Sequence, residues 1–162
     1  MRIGIISDTH DEVRAMEDAL GILEAEGTTV LLHCGDLCGP AAMAALSGFD
    51  AWVARGNMDR HSELEAAAQE TIGSARFADH HRLTLDGQSA VLLHGHRQDE
   101  LRELISAGEH AYVFHGHTHR RRDQRIGSTR VINPGALGGI RWRQRSFCIL
   151  DLSTGEVTFI KI

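Results

Sequence analysis

An α/β fold, with two mixed β-sheets stacked face to face and helices on both outer sides, is the class predicted for this 162-residue chain. Three observations lead there. The first half alternates short apolar runs with amphipathic stretches in the order β-α-β-α-β-α, which implies parallel strands joined by right-handed crossovers. The second half is a series of hairpins with one helix inserted, which implies a mixed or antiparallel sheet. The length suits one domain, residues 1–162, with a full core, and is short for two. Two sheets, each with one helical cover, close into a four-layer α/β/β/α sandwich.

The strands follow from apolar runs of five to seven residues bounded by turn residues: 2–7, 29–34, 50–55, 81–86, 89–94, 111–115, 129–133, 146–152 and 156–161. Asp86-Gly87 between two alternating runs is a hairpin turn, and Thr154-Gly155 is a second. Val13, Met16, Leu20 and Leu23 fall at helical spacing, and Gly27 closes that helix. Pro40 opens a short helix as its first-turn proline. Ser62 with Glu65 forms a capping box for a helix to about residue 72. Leu101, Leu104 and Ile105 mark a last helix that ends near Gly108.

Composition narrows the class of function. The longest apolar runs fall short of a membrane span, and Met1-Arg2 leads directly into the strand Ile3-Gly4-Ile5-Ile6. A cytoplasmic protein with no membrane partner is therefore expected. Cys34, Cys38 and Cys148 are an odd number of cysteines in such a chain, which argues against a disulfide framework. The net charge of −5 argues against a protein built to coat nucleic acid. Arginine is nonetheless concentrated late in the chain, at Arg120, Arg121, Arg122, Arg125, Arg130, Arg141, Arg143 and Arg145, with Asp123 the one acid among them. Such a run is either a solvated basic hairpin or a source of bidentate phosphate contacts.

Five fragments carry the chemistry: Asp8-Thr9-His10, Gly35-Asp36, Gly56-Asn57-Met58-Asp59, His94-Gly95-His96 and Gly116-His117-Thr118-His119. Each follows an apolar run, and strand ends are where open α/β sheets hold ligands. Asp8 and His10 alternate on a strand end, as do His117 and His119, so each pair is expected to project to one side. Gly35 is expected to leave room for a metal beside Asp36. Gathering this many polar groups is costly unless something pairs them, and two divalent cations would do so. Carboxylate, amide and imidazole donors suit Mn²⁺, Fe²⁺ or Zn²⁺. Two such ions with two carboxylates leave about +2, or about +1 with a bridging hydroxide, a centre that attracts a phosphoryl anion. Singly, each fragment also reads as a turn or a hydrogen-bonded histidine; the ordered set is what points to metal.

The set resembles the calcineurin-like metallophosphoesterases, whose motifs run Asp-x-His, Gly-Asp, Gly-Asn-x-Asp/Glu, His near glycine, and Gly-His-x-His. The length and Ile132-Asn133-Pro134-Gly135 are most similar to the small YfcE-type phosphodiesterases. The resemblance implies a phosphoric diester hydrolase in which a hydroxide bridging two divalent metals is the nucleophile. It implies one metal on Asp8, His10, Asp36 and His119, and a second on Asp36, Asn57, His94 and His117, with Asp36 bridging. Mn²⁺ is the expected ion, with Fe²⁺, Zn²⁺, Ni²⁺ and Mg²⁺ as alternatives. Asn57 and His96 are expected to contact substrate, a small phosphodiester. Where some family members carry a leaving-group histidine this chain has Met58, which leaves Asp59, His61 and His96 as candidate acids. Ala136 stands where related chains often have serine, with an effect expected on loop packing. The resemblance also raises a homodimer or homotetramer.

Two other functions compete. A non-catalytic metal-binding scaffold is one, since the retromer's phosphoesterase-like subunit uses this fold for interaction; the full set of ligand types here favours the enzyme. A nuclease is the other, but the chain has no room for added DNA-binding elements, so nucleic acid beyond short oligonucleotides is not expected as a partner. Cys34 is expected beneath the metal loop, Cys38 near the site mouth and Trp52 in the core. Trp142 is the candidate exposed aromatic.

Overall fold

The computed structural model describes residues 1–59, 62–139 and 144–162. His61, Arg141, Trp142 and Arg143, on which expectations were placed above, lie outside the described residues. In chain order the elements are β1 (Arg2–Ile6), α1 (Val13–Ala25), β2 (Val30–His33), α2 (Pro40–Ala44), β3 (Ala51–Ala54) and α3 (Ser62–Thr71). A 3₁₀ turn at Ser74–Arg76 leads to β4 (Phe77–Ala78), β5 (His80–Leu85), β6 (Gln88–Leu93), α4 (Gln98–Ala107) and β7 (Tyr112–Phe114). The chain continues through β8 (Arg122–Ile126), β9 (Thr129–Asn133), β10 (Ser146–Asp151) and β11 (Glu156–Lys161).

Two mixed sheets result. The first has the order β11-β10-β1-β2-β3-β4, with β1 to β4 parallel and the β10–β11 hairpin antiparallel at one edge. The second has the order β5-β6-β7-β9-β8, with β6, β7 and β9 parallel between two antiparallel edge strands. Period-two alternation sorts the side chains into layers. Ile3 and Ile5 of β1, Leu32 of β2, Ala90 and Leu92 of β6 and Phe114 of β7 meet between the sheets. Ile6, Leu31 and Val53 face the other way, onto Met16, Leu20 and Leu23 of α1, Met43 of α2 and Leu64 of α3. Val91, Leu93, Val113 and Val131 pack on Leu101, Leu104 and Ile105 of α4. Helices, sheet, sheet and helix are thus the four layers, as predicted. Each large apolar side chain wholly buried in them contributes about 1.5–3 kcal/mol.

Three local expectations need correction. Residues 122–126 form an edge strand that hydrophobic patterning missed, because Arg-Asp-Gln-Arg is charged and its side chains face largely outward. Edge strands carry charge to discourage further pairing, which erases the apolar alternation. The two-residue β4 was missed for want of length. The capping box is also absent: Ser62 is already helical, and the Glu65 carboxylate pairs instead with Arg55 at 2.9 Å. Trp52 is half-buried between the sheets, with the Arg76 guanidinium 4.9 Å from its ring centre.

One buried polar residue fixes how the first two strands end. His33 is wholly inaccessible at the end of β2. Its Nδ1 accepts the Gly35 N–H at 3.1 Å, so Nε2 carries the proton and donates to the Thr9 hydroxyl at 2.8 Å. The ring thereby ties the loop after β1 to the loop after β2. Burial pushes the His33 pKa down to about 4, against the nearby carboxylates that would raise it.

A pH dependence follows. Between the ordinary value of 6.5 and the folded value of about 4, the unfolded chain binds a proton that the folded chain refuses. Stability is therefore full above that window and falls as the pH drops through it, by about 3 kcal/mol at about 1.4 kcal/mol per pH unit. Urea unfolding of chelator-treated protein at about pH 7.5 and about pH 4.5 should show this loss, and His33→Gln, which cannot titrate, should remove that share of it. Equal pH dependence in the two proteins would assign the loss to other groups.

Candidate metal centre

The five motifs lie in loops at the ends of β1, β2, β3, β6 and β7, where the sheets bring them together. The local geometry differs from the alternation expected on extended strands. Asp8, His10, Asp36, His117 and His119 have φ of 52°, 47°, 54°, 64° and 57°, so each occupies the left-handed region. Non-glycine residues rarely adopt it, and a concentration of them costs about 1–3 kcal/mol each unless the surroundings hold it. Left-handed turns at the strand ends, rather than strand pleating, aim these side chains at one point.

Two glycines make the convergence sterically feasible. A Cβ on Gly35, where φ is 96°, would lie 2.7 Å from Nδ1 of His94. The room predicted there for a metal is taken by the His94 ring. A Cβ on Gly56 would lie 2.1 Å from Oδ1 of Asp36, so the Asn57 loop can approach Asp36 only with glycine at that position.

Each buried carboxylate is divided between two tasks. Oδ2 of Asp8 accepts the Ser7 hydroxyl at 2.5 Å and the His117 backbone N–H at 3.0 Å. Its Oδ1 is buried without a hydrogen bond from any described residue, 3.2 Å from Nε2 of His119 and 3.9 Å from Nε2 of His10. Oδ1 of Asp36 accepts the Met58 backbone N–H at 2.9 Å. Its Oδ2 faces Nε2 of His94 at 3.4 Å and Nε2 of His10 at 3.9 Å. In both, one oxygen is fixed by protein donors and the other points at imidazole nitrogens.

The imidazoles are presented for coordination. Nδ1 of His94 donates to the Cys34 carbonyl at 2.7 Å, which aims its Nε2 at Asp36 and, 3.2 Å away, at Oδ1 of Asn57. Such an outer hydrogen bond sets the tautomer and orientation of a ligating histidine. Nε2 of His10 and Nε2 of His119 are 3.3 Å apart. Donor atoms of Asp8, His10 and His119 lie within 4.8 Å of one another, and so do those of Asp8, Asp36 and His94. Asp8, expected in one set only, belongs to both clusters. The His117 ring lies beside them, its centre 5.1 Å from that of His94.

Electrostatics agree with a cation. Burial pushes the Asp36 carboxyl upward, but the His94 hydrogen bond and charge, the Met58 N–H and His10 outweigh it and hold it at about 2. Burial lowers the His94 pKa, and the opposing pull of Asp36 and Asp8 raises it on balance. Burial and His94 lower both His96 and His117, which favours their neutral forms. These residues fit divalent ions: an orphaned carboxylate oxygen, converging imidazole nitrogens and an amide oxygen form a donor set with a deficit of positive charge.

Other residues near the centre have supporting geometry. Asp59 is 1 % exposed, and its two oxygens accept the Cys38 N–H at 2.7 Å and the Gly56 N–H at 2.8 Å. It braces the Asp36 and Asn57 loops against each other, a placement unlike that of a group poised to give up a proton. His96 keeps both ring nitrogens buried and without a hydrogen-bond partner among the described residues, its ring centre 5.5 Å from that of His94. Cys38 is at the mouth as expected, its sulfur 3.6 Å from Nδ1 of His10. Burial, Asp59 and Asp36 push that thiol up to about 12, which makes it a poor nucleophile. Sequence reasoning missed Ser7, His33 and Asn133. The Asn133 amide donates to the Gly116 carbonyl at 2.7 Å and the Thr118 hydroxyl at 3.1 Å, pinning the His117–His119 loop. Polar residues at the ends of otherwise apolar strands were the available signal for all three.

Comparison with known proteins identifies the family. The profile of the calcineurin-like phosphoesterase superfamily domain matches residues 1–155. Phosphodiesterase MJ0936 of Methanocaldococcus jannaschii is 29 % identical over 159 residues, 96 % of each chain. The solved structure of a novel archaeal phosphodiesterase superposes with a TM-score of 0.92 at 28 % identity, covering all of both chains. At the level of fold alone, YfcE, a phosphoesterase from E. coli, gives a TM-score of 0.73 at 19 % identity over the whole of both chains. Vps29 of Entamoeba histolytica, solved with zinc, gives 0.72 at 18 % over all of this chain and 98 % of that one. With a family profile spanning nearly its whole length and every motif in place, the chain belongs to the calcineurin-like phosphoesterase superfamily.

Proposed function

We propose that the protein is a metal-dependent phosphodiesterase that works with two divalent ions, Mn²⁺ by preference, in the cytoplasm. The observation that carries this reading is the division of Asp8 and Asp36, each with one oxygen held by protein donors and the other facing imidazoles. One ion would take Asp8, His10, Asp36 and His119, and the other Asp36, Asn57, His94 and His117. Held by these residues, such ions would acidify a water and neutralise charge on the phosphoryl oxygens.

The chain's own residues bind and orient the ester. A cleft of about 500 Å³ runs from Gly56 and His96 between Arg55, Glu65, Asp79 and Arg97, and suits the alcohol portion of a diester. Its arginines are already paired, Arg97 with Asp79 at 3.1 Å and Arg55 with Glu65 at 2.9 Å. Little net positive charge is left there for a second phosphate, which supports a diester substrate over a polyphosphate. His96 lines this cleft as a neutral imidazole; both of its ring nitrogens are buried, so the ring would turn to give one N–H to a phosphoryl oxygen. Met58 is 52 % exposed at the adjoining turn and supplies no proton. Leaving groups that depart without protonation are accordingly favoured.

Hydrolysis of a bis-nitrophenyl phosphate by chelator-stripped protein, with and without Mn²⁺, tests the reading. Metal-restored turnover above that on the matching monoester is expected. Full metal content without turnover on any diester would shift the assignment to a scaffold, a role the same fold can serve. Asp36→Asn should lower both metal content, read by elemental analysis, and turnover by at least about a hundredfold. His96→Ala should leave metal content unchanged while kcat/KM falls by about a hundredfold, as for loss of one positioned donor to a developing oxyanion. Unaltered kinetics in that variant would remove His96 from the substrate's path.

A further inference from the structure

The chain has three cysteines, and the structure separates one from the other two. Cys34 and Cys148 are wholly buried in the apolar layer between the sheets, where a thiol packs as a small hydrophobe. Cys38 belongs to none of the three apolar clusters and lies half-buried at the mouth of the metal centre. Its sulfur is 3.6 Å from Nδ1 of His10. Nε2 is the nitrogen of that ring that faces Asp8, Asp36 and His119, so Cys38 meets the imidazole from behind.

The backbone gives an independent sign that this side chain is used. Cys38 has φ of 82°, a conformation that glycine adopts freely and that any other residue holds only under strain. The strained turn is secured by the Cys38 N–H, which donates to Oδ1 of Asp59 at 2.7 Å. A side chain kept where glycine would be unstrained, and outside every apolar cluster, is not there for packing. Its contact is with the His10 ring. On the other side of that ring, Cδ2 lies 3.5 Å from where a Cβ on Gly139 would stand, so the imidazole is flanked by Gly139 and Cys38.

We infer that Cys38 is a positioning residue for His10, setting the orientation and tautomer in which that imidazole meets a cation. The inference rests on the two-ion reading of the centre given above. When Nε2 ligates, the ring proton resides on Nδ1, and the Cys38 sulfur accepts its hydrogen bond. His94 is held in the same manner by a stronger acceptor, the Cys34 carbonyl at 2.7 Å. Sulfur is a weak acceptor, so it orients the His10 ring while adding less to its basicity. The ion on Asp8, His10, Asp36 and His119 is therefore the more weakly held of the two. Cys38 acts on that ion alone.

Titration of the chelator-stripped full chain with Co²⁺, followed by visible absorption, tests this. The parent protein should bind two ions in separable steps. Cys38→Ala should weaken the weaker step about tenfold and shift its absorption bands, with the tighter step unchanged. Cys38→Gly should do the same without lowering the thermal stability of the metal-free protein, because glycine relieves the left-handed strain. Lower metal-free stability in both variants with the bands unmoved would overturn the inference, since the thiol would then serve packing alone. Equal weakening of both steps, or of neither, would overturn it as well. So would an intense near-ultraviolet sulfur-to-cobalt band in the parent protein, because the thiolate would then be a ligand itself. A parent protein that binds one ion only would end the two-ion reading. Cys38 would keep its role in that case if Cys38→Ala weakens the single ion about tenfold, and would lose it if the affinity is unchanged.

Discussion

Asp8 and Asp36 are almost wholly buried, with an oxygen of each inside a cluster of donor atoms no more than 4.8 Å across. Like charges at that separation in a medium of reduced dielectric repel strongly, and burial adds a desolvation cost to each. The protein meets part of that cost from its own groups: Ser7 and the His117 N–H for Asp8, the Met58 N–H for Asp36. These donors approach one oxygen of each carboxylate and leave the other facing imidazole nitrogens. Much of the loop architecture serves that partition. The Cys34 carbonyl turns His94, Asp59 clasps two loops, and Asn133 pins a third.

The same constraint explains where backbone strain is kept. Asp8, His10, Asp11, Asp36, Cys38, His117 and His119 are non-glycine residues with positive φ, and all lie in or beside the metal loops. Asp86, in the β5–β6 hairpin turn, is the one remaining case among the described residues. Strain of this kind persists where rigid surroundings hold it. Three apolar layers supply the rigidity: the contact between the sheets and the two helical covers. Parallel strands β1, β2 and β3 end side by side, as do β6, β7 and β9, so two sheets deliver their loops to one edge of the sandwich.

Charge pairing differs between the cleft beside the candidate metal centre and the stretch Arg120–Arg122. The cleft beyond Gly56 and His96 holds arginines already matched to acids. Arg120, Arg121 and Arg122 have no carboxylate partner among the described residues. A net charge of −5 over the chain conceals both arrangements, because pairing in space rather than composition decides which charges remain available.

The sequence by itself determined the layer architecture, most element positions and the residues that gather at the candidate metal centre. Hydrophobic periodicity is local, and the motif residues are chemically conspicuous. Tertiary structure alone decided how those residues converge. Left-handed φ at Asp8, His10, His117 and His119 replaces the strand alternation that the spacing suggested, and Gly35 makes room for His94 instead of an ion. Asp59, equivalent to a catalytic acid when read along the chain, spends both oxygens on backbone N–H groups from two separate loops. Which arginines of the late stretch lack a carboxylate partner among the described residues was equally hidden. A hydrogen bond or ion pair between residues far apart in sequence leaves no periodic trace, so its presence or absence is legible only once the sheets have set the loops side by side.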